Sequence, residues 1–530
     1  MIKIREYQWS IGSIIGTCVF VLLAAGLYGF SWNSVSAGFL SDDAVYLLMA
    51  DSFSHFHPSE PELSAFLMSQ TLFPPLYPLL LAWLGAGSDH LAWAHVITTT
   101  MLVLALGVYG LWIYAKTRDL PGAISLLLIF ALLPGTLLHI LDIFSEFPFL
   151  FFTLLAFLFS ERTQLQNRDH SLIVLCVGLA AITRSTGLAL VAAFGLWLFR
   201  YRIRNRIVWL LLALGPSLFW FFYKTTVLGN HGGYWLQWQW VLSEFQNQWP
   251  WDFLQNQLKA LWQGLLSNFD LRPSFLTQAI LLVTLLLGLP EWVRRLWHWH
   301  MDAWYLLISV AMILLWPYPE VFGRLMLPLL PIILFHAYLG IRHLTAGWGD
   351  LRGQPALTHA YLVALMLTLL PSLGFMMQRL SESIDPALAS WKHTRYWFRF
   401  EGTDRVRADV ANRQDLIHAI HEIGQWVPDK ECVFGVHTAL SMLHSRRIFH
   451  SPPPPPNLDS TEFNRSVQSC RYFLLLPSKG VVVDGSINGG VVGPFYPYDH
   501  LDKKTVKIVR TWEDPRDPKI PTAILLKSSL

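Results

Sequence analysis

The sequence predicts a mainly α, polytopic transmembrane fold of about eleven spans, closed by a small C-terminal extramembrane α/β domain. Three observations carry that expectation. Of the 530 residues, 53% are hydrophobic and only 14% charged, against roughly a quarter charged in an ordinary soluble domain. Apolar runs close to the length that crosses a hydrocarbon core, about 20 residues, recur through the first 375 residues. From residue 377 onward the composition becomes that of a water-soluble chain.

The expected spans are 11–30, 90–115, 122–139, 146–160, 171–183, 187–199, 207–223, 274–290, 303–317, 325–341 and 359–376. The first follows Lys3 and Arg5 like a signal peptide, but no small-residue cleavage motif closes it, so it reads as an uncleaved span. Runs 171–183 and 187–199 are short and could pair without fully crossing. Loops rich in Lys and Arg stay cytoplasmic. They are the N-terminus, Lys116 to Arg118, Glu161 to Arg168, Arg200 to Arg206, Arg294 to Arg295 and Arg342 to Arg352. Every second loop fits, which places 31–89, 140–145, the turn near Arg184, 224–273 and 318–324 outside. The expected organisation is therefore a transmembrane domain 1–376 and an outward-facing soluble domain 377–530, with a cytoplasmic N-terminus in a bacterial inner (plasma) membrane. A net charge of +3 without a long basic block leaves no footprint for nucleic acid.

Loop 31–89 holds Asp42 and Asp43, then the stretch Ala44 to Phe56, which reads as amphipathic. No Lys or Arg occurs between Arg5 and Lys116. Adjacent carboxylates repel, so one pKa should rise, which suits a general base or a hard divalent cation. Spacing alone favours a plainer reading, in which Ser41, Asp42 and Asp43 cap a helix starting at Ala44. Asp142 and Glu146 fall at the outer ends of two spans, where acids are rare and often functional. Arg184 interrupts the apolar stretch 171–199, and Arg324 opens the tenth span. Guanidinium suits phosphate oxygens, although either Arg alone could simply snorkel to the interface. Convergence shifts the balance, because all six come from five segments and share one side in the charge-based topology.

Loop 224–273 is loaded with tryptophan, including Trp235, Trp238, Trp240, Trp249, Trp251 and Trp262, which an interfacial aromatic belt explains better than a sugar groove. His55 and His57 near Asp51, Glu60 and Glu62 lack a recognised zinc spacing. In the tail, alternating helical and apolar runs from 410 to 477 predict a small α/β domain with a partly parallel sheet. Prolines 452–456 form a stiff connector, and Asn464-Arg465-Ser466 is a glycosylation sequon. Cys432 and Cys470 each start a strand and could form a disulfide in an oxidising compartment, whereas Cys18 and Cys176 lie in apolar spans.

In order, Ser41-Asp42-Asp43-Ala44-Val45-Tyr46, Phe73-Pro74-Pro75-Leu76-Tyr77-Pro78-Leu79, Ser145-Glu146-Phe147-Pro148, Thr183-Arg184-Ser185-Thr186-Gly187-Leu188 and Gly323-Arg324-Leu325-Met326-Leu327-Pro328 resemble the GT-C membrane glycosyltransferases. The nearest look is to the protein O-mannosyltransferase and aminoarabinose transferase group, over residues 10–345. That resemblance implies a polyprenyl-phosphate sugar donor and an acceptor protein, lipid or glycan. It places the catalytic acid on Asp42, a second acidic site residue on Asp43, a further acid on Glu146, and donor-phosphate contacts on Arg184 and Arg324. Asp43 stands where the family commonly has Glu, which leaves a divalent cation (Mg or Mn) open and none required. A transporter or flippase for lipid-linked sugars, or a polysaccharide polymerase or ligase, is the alternative reading of many spans with an outer charged cavity. Neither inverted repeats nor broken midplane helices stand out in the sequence, which weighs against a transporter.

Overall fold

The computed structural model describes residues 11–32, 34, 37–38, 42–56, 60–71, 73–161, 166–229, 239, 242, 249–346, 354–399, 401–435, 437–450, 470–476, 506–513 and 521–528. Trp235, Trp238, Trp240, His57, Pro452 to Pro456 and the Asn464 sequon lie outside those residues.

The chain is built on helices. The first half contains α1 (Ile11–Ser31), α2 (Asp42–Phe53), α3 (Pro61–Gln70), α4 (Leu76–Trp83), α5 (Leu91–Thr117), α6 (Leu120–Leu132), α7 (Pro134–His139), α8 (Glu146–Ser160), α9 (Asn167–Thr183), α10 (Gly187–Arg200) and α11 (Arg206–Thr226). There follow α12 (Pro250–Phe269), α13 (Phe275–Trp297), α14 (Met301–Leu314), α15 (Phe322–Met326), α16 (Leu330–Ala346), α17 (Gln354–Ser381), α18 (Thr403–Trp426) and α19 (Thr438–Ser445). Among the described residues six helical segments are long and apolar enough to cross a membrane, and four shorter apolar helices accompany them. The chain is thus an integral membrane protein in build.

Burial ranks these segments. Most residues of the stretch Pro319–Thr345 are buried and it forms the hub, whereas few residues of α1 and α11 are buried and these helices present apolar faces outward, as lipid-facing helices do. Two spans differ from expectation. The run 122–139 is broken into α6 and α7 because Pro134 has no N–H to continue the ladder. The hub is interrupted by 3-10 turns at Pro319–Val321 and Leu327–Leu329, where Pro319 and Pro328 act in the same way.

Helix α8 carries Glu146 at one end and is followed at the other by Glu161, about 22 Å away for fifteen helical residues. The far end is tied by ions: Lys116 Nζ lies 2.5 Å from Glu161, Arg295 pairs with Glu161, and Arg295 also meets Asp302 at 2.8 Å. His336 Nε2 completes the set at 2.8 Å from Asp302. Arg295 is fully buried. Breaking a buried pair from one side leaves an uncompensated charge, so Arg295→Ala should cost about 3–5 kcal/mol. Thermal unfolding in detergent measures it, and an unchanged midpoint would contradict the network's role.

The C-terminal unit contains β1 (Cys432–Phe434), β2 (Ile448–His450), β3 (Tyr472–Leu475), β4 (Val506–Trp512) and β5 (Ala523–Ser528), in the order β2-β1-β3-β5-β4. The first three are parallel, and β5 runs antiparallel to both β3 and β4. Cys432 and Cys470 are disulfide-bonded, with Cα atoms 5.1 Å apart. This unit grips the segment between α1 and α5. Helix α19 packs on α2, and Arg446 donates to Asp51 at 2.7 Å, to Asp89 at 2.9 Å and to Ser88. Together with α3 and α4, that contact leaves α2 buried continuously from Asp43 to Asp51 rather than amphipathic as the sequence suggests. It also takes Asp51 out of any zinc set with His55.

Candidate active site

Four of the six sequence-predicted residues meet at the near end of the bundle. Asp42 is the first residue of α2, and Arg324 pairs with its carboxylate. Arg324 Nε is also 2.8 Å from Glu146, whose carboxylate lies 2.5 Å from Arg184 Nη1. Glu146 therefore bridges two guanidiniums while almost fully buried, at 1% exposure. Asp42 and Arg324 are the open part of the cluster, at 19% and 18%.

Local sequence sets each position. Glu146 begins α8, where a carboxylate is favoured by the exposed N–H groups of the first turn. Arg184 stops α9 by turning extended (φ −146°, ψ 144°), and Gly187 lets the chain pass against Ala180 and Ala181, where a Cβ would lie 2.6 Å from Ala181 Cα. Arg324 sits on the five-residue α15. There Gly264 and Gly323 bring two backbones together, and Asn268 Nδ2 donates to both carbonyls at 2.8 Å. Phe144 lies under the Arg324 guanidinium at 4.6 Å. Tyr46, one turn after Asp42, shares a 2.7 Å hydrogen bond with Ser145 Oγ, which also accepts from Arg184 at 3.3 Å. Burial holds the Tyr46 phenol well above its usual range, so it is a neutral hydrogen-bonding group.

The other two acids form a separate, buried pair. Asp43 has no exposure and accepts from the backbone N–H of Gly38 at 2.8 Å and of Ala44 at 2.9 Å. Helix α2 starts at Asp42, not Ala44, and Asp43 ties down the preceding loop; Ser41 lies outside the described residues. Asp142, also without exposure, is 3.1 Å from Arg395, which comes from the segment after α17. The expected cause of a raised pKa was Asp42 beside Asp43. The Asp43 carboxyl is indeed pushed up to about 7, but burial is the main reason, then Asp142, and Asp42 contributes least. His139 beside them is held at about 3 by burial and Arg395 and stays neutral.

The sign of the Asp43 effect on stability follows directly. An unfolded Asp titrates near about 3.9, so the folded state binds this proton more tightly. Its contribution is full below about pH 4 and is lost as pH rises through the folded value of about 7. Asp43→Asn fixes the neutral form. Its denaturation midpoint should therefore fall less than the parent's between about pH 5 and about pH 7.5, and equal slopes would count against the buried-acid description.

A divalent cation does not fit this donor set. The Asp42 and Glu146 carboxylates face guanidiniums, as does Asp142, and Asp43 is enclosed by backbone N–H groups. Among the described residues, the groups close enough to share a metal are Glu161, His300 and Asp302 at the far end, and Cys432, His450 and Cys470. The first surrounds Arg295 and the second contains the disulfide. Neither includes Asp42 or Asp43.

Sequence reasoning missed Tyr46, Ser145 and Arg395. The first two had a signal, since Tyr46 lies on the Asp42 face of α2 and Ser145 adjoins Glu146. Arg395 had none. Trp249 and Trp251, at 73% and 57% exposure, lie at the start of α12 away from these contacts.

No family model matches the chain, and no curated protein matches it. Among solved structures, ArnT from Cupriavidus metallidurans in the apo state aligns over 96% of this chain and 97% of its own, with TM-score 0.50 and 11% identity. The same protein bound to undecaprenyl phosphate gives a TM-score of 0.46 at 10% identity, over the same shares of the two chains. The Archaeoglobus fulgidus oligosaccharyltransferase tethered with an acceptor peptide gives 0.49 at 14% identity, over 87% of this chain and 69% of its own. At such identities the likeness is one of architecture: the chain shares the overall fold of the apo ArnT structure.

Proposed function

We propose that the protein transfers a sugar from a polyprenyl-phosphate donor to an acceptor hydroxyl on the outer membrane face. One observation supports this above the rest: Asp42, Glu146, Arg184 and Arg324, spread over 283 residues of sequence, form one ionic cluster at a single end of the bundle. The Lys- and Arg-rich loops, read as cytoplasmic, are gathered at the other end, as the Lys116, Glu161 and Arg295 contacts illustrate. The GT-C architecture agrees with this reading.

Asp42 is the general base, because it is the carboxylate of the cluster with open surface. It takes the proton from the acceptor hydroxyl while that oxygen attacks the anomeric carbon. The bond from that carbon to the phosphate oxygen breaks, the electron pair leaves with polyprenyl phosphate, and the configuration inverts. Arg324 links the two halves of the step. Donor phosphate competes with Asp42 for the guanidinium, so binding the donor frees the base. Glu146 keeps Arg184 and Arg324 aimed together, and both stabilise charge on the leaving phosphate. No cation is needed for any of these steps. Asp43 holds the loop that presents Asp42.

Membranes containing the protein, given a panel of radiolabelled polyprenyl-phosphate sugars, should yield labelled acceptor and free lipid phosphate. Translocation of intact donor without release of lipid phosphate would favour a transporter and overturn the proposal.

A further inference from the structure

Lys224, in the last turn of α11, is 8% exposed and makes no hydrogen bond or ion pair among the described residues. An ammonium taken out of water without a partner is strongly unfavourable. Its chain neighbours Phe221, Phe222 and Tyr223 are exposed on the outward face of α11, so Lys224 alone in that turn is turned inward. An interfacial lysine that merely snorkels would be exposed with them.

Its place in the bundle is defined by packing. Helices α9, α10 and α11 run up, down and up, joined by short connections at 184–186 and 201–205. Gly178 of α9 rests on Ala213 and Pro216 of α11. From that contact about six residues of α9 lead to Arg184 and about eight to eleven of α11 lead to Lys224, rises of about 9 Å and about 12 to 17 Å in the same direction. Both cations therefore lie toward the same end of adjacent helices, with Lys224 the farther out. Trp220, one turn before Lys224, donates Nε1–H to the Phe73 carbonyl at 3.2 Å. The Phe73 ring lies 5.1 Å from the Tyr46 ring, which adjoins the Asp42 cluster.

Charge completes the argument. The two acids Asp42 and Glu146 already balance Arg184 and Arg324. A lipid phosphate entering a neutral cluster lacks one positive charge for every negative charge it brings. Lys224 is the buried cation nearby that has none of its charge committed. We propose that Lys224 is a ligand of the donor's phosphate group, entering the site past the lipid-exposed face of α11. This rests on the lipid-phosphate donor reading above. Phosphate recognition by a point charge, not a fork, leaves the guanidiniums free to act on the leaving oxygen.

The test uses the full chain in lipid nanodiscs. Binding of polyprenyl monophosphate, polyprenol and inorganic phosphate is measured by native mass spectrometry for the unaltered protein, Lys224→Met and Lys224→Arg. The expected result is that Lys224→Met weakens polyprenyl monophosphate about tenfold or more and leaves polyprenol unchanged, while Lys224→Arg keeps most of the affinity. Inorganic phosphate should bind far more weakly than the lipid. If inorganic phosphate bound as tightly, the site would be one for free phosphate, and the lipid assignment would fall. If Lys224→Met bound the phosphate lipid as well as the unaltered protein does, the Lys224 assignment would fall while the donor reading stood. If the unaltered protein did not prefer the phosphate lipid over polyprenol, the donor reading itself would fall. Matching unfolding temperatures for the two variants and the parent guard the comparison, and a binding loss shared equally by Lys224→Arg and Lys224→Met would overturn a charge role.

Discussion

Glu146→Ala should abolish sugar transfer and destabilise the protein together. Its carboxylate is the bridge between Arg184 at 2.5 Å and Arg324 at 2.8 Å, at 1% exposure. Removal leaves Arg184 without its carboxylate partner in a buried setting, which costs about 3–5 kcal/mol. It also frees both guanidiniums from a shared aim, and each preorganised donor lost at a leaving oxygen costs about 10²–10³ in rate. Thermal unfolding and initial transfer rates, measured on the same preparation, check both halves. Full activity with an unchanged midpoint would mean that the bridge does neither.

Arg324→Ala should have the second largest effect, and mostly on chemistry. Arg324 touches both Asp42 and Glu146, and its ring partner Phe144 holds the guanidinium in place. Without it the base is no longer gated by donor binding, and the departing phosphate loses a forked donor. Transfer should fall about 10²–10³-fold. Arg324→Lys should recover only a small part, because a point charge cannot span two carboxylates as a planar fork does. A lysine variant with parental turnover would show that charge alone matters at this position.

The membrane class and the helix order were readable because hydrophobic length is a one-dimensional property. So was the gathering of the four cluster residues, since loop charges alternate along the chain and fix which helix ends share a side. The resemblance singled out Asp42 as the catalytic acid, but the burial of Asp43 away from the ionic cluster was not readable. Neighbouring residues on a helix point about 100° apart, so one faces the open cluster and the other the buried loop, and only packing decides which. Arg395 is 253 residues from Asp142 in sequence, in a segment with no apolar period to announce it. Strands β4 and β5 escaped notice because the sheet's far half alternates irregularly and β4 is largely exposed. The burial of Lys224 depends on a helix bundle that periodicity alone does not assemble.

The most direct measurement compares transfer of radiolabelled sugar by the unaltered protein with that by Asp42→Asn at matched expression, alongside binding of the same donor. The amide keeps the shape but cannot accept the acceptor's proton, and loss of a general base typically costs about 10²–10⁴ in rate. The account predicts that transfer is lost while donor binding is retained or strengthened, since Arg324 no longer has to leave a carboxylate. Undiminished transfer by Asp42→Asn would contradict it.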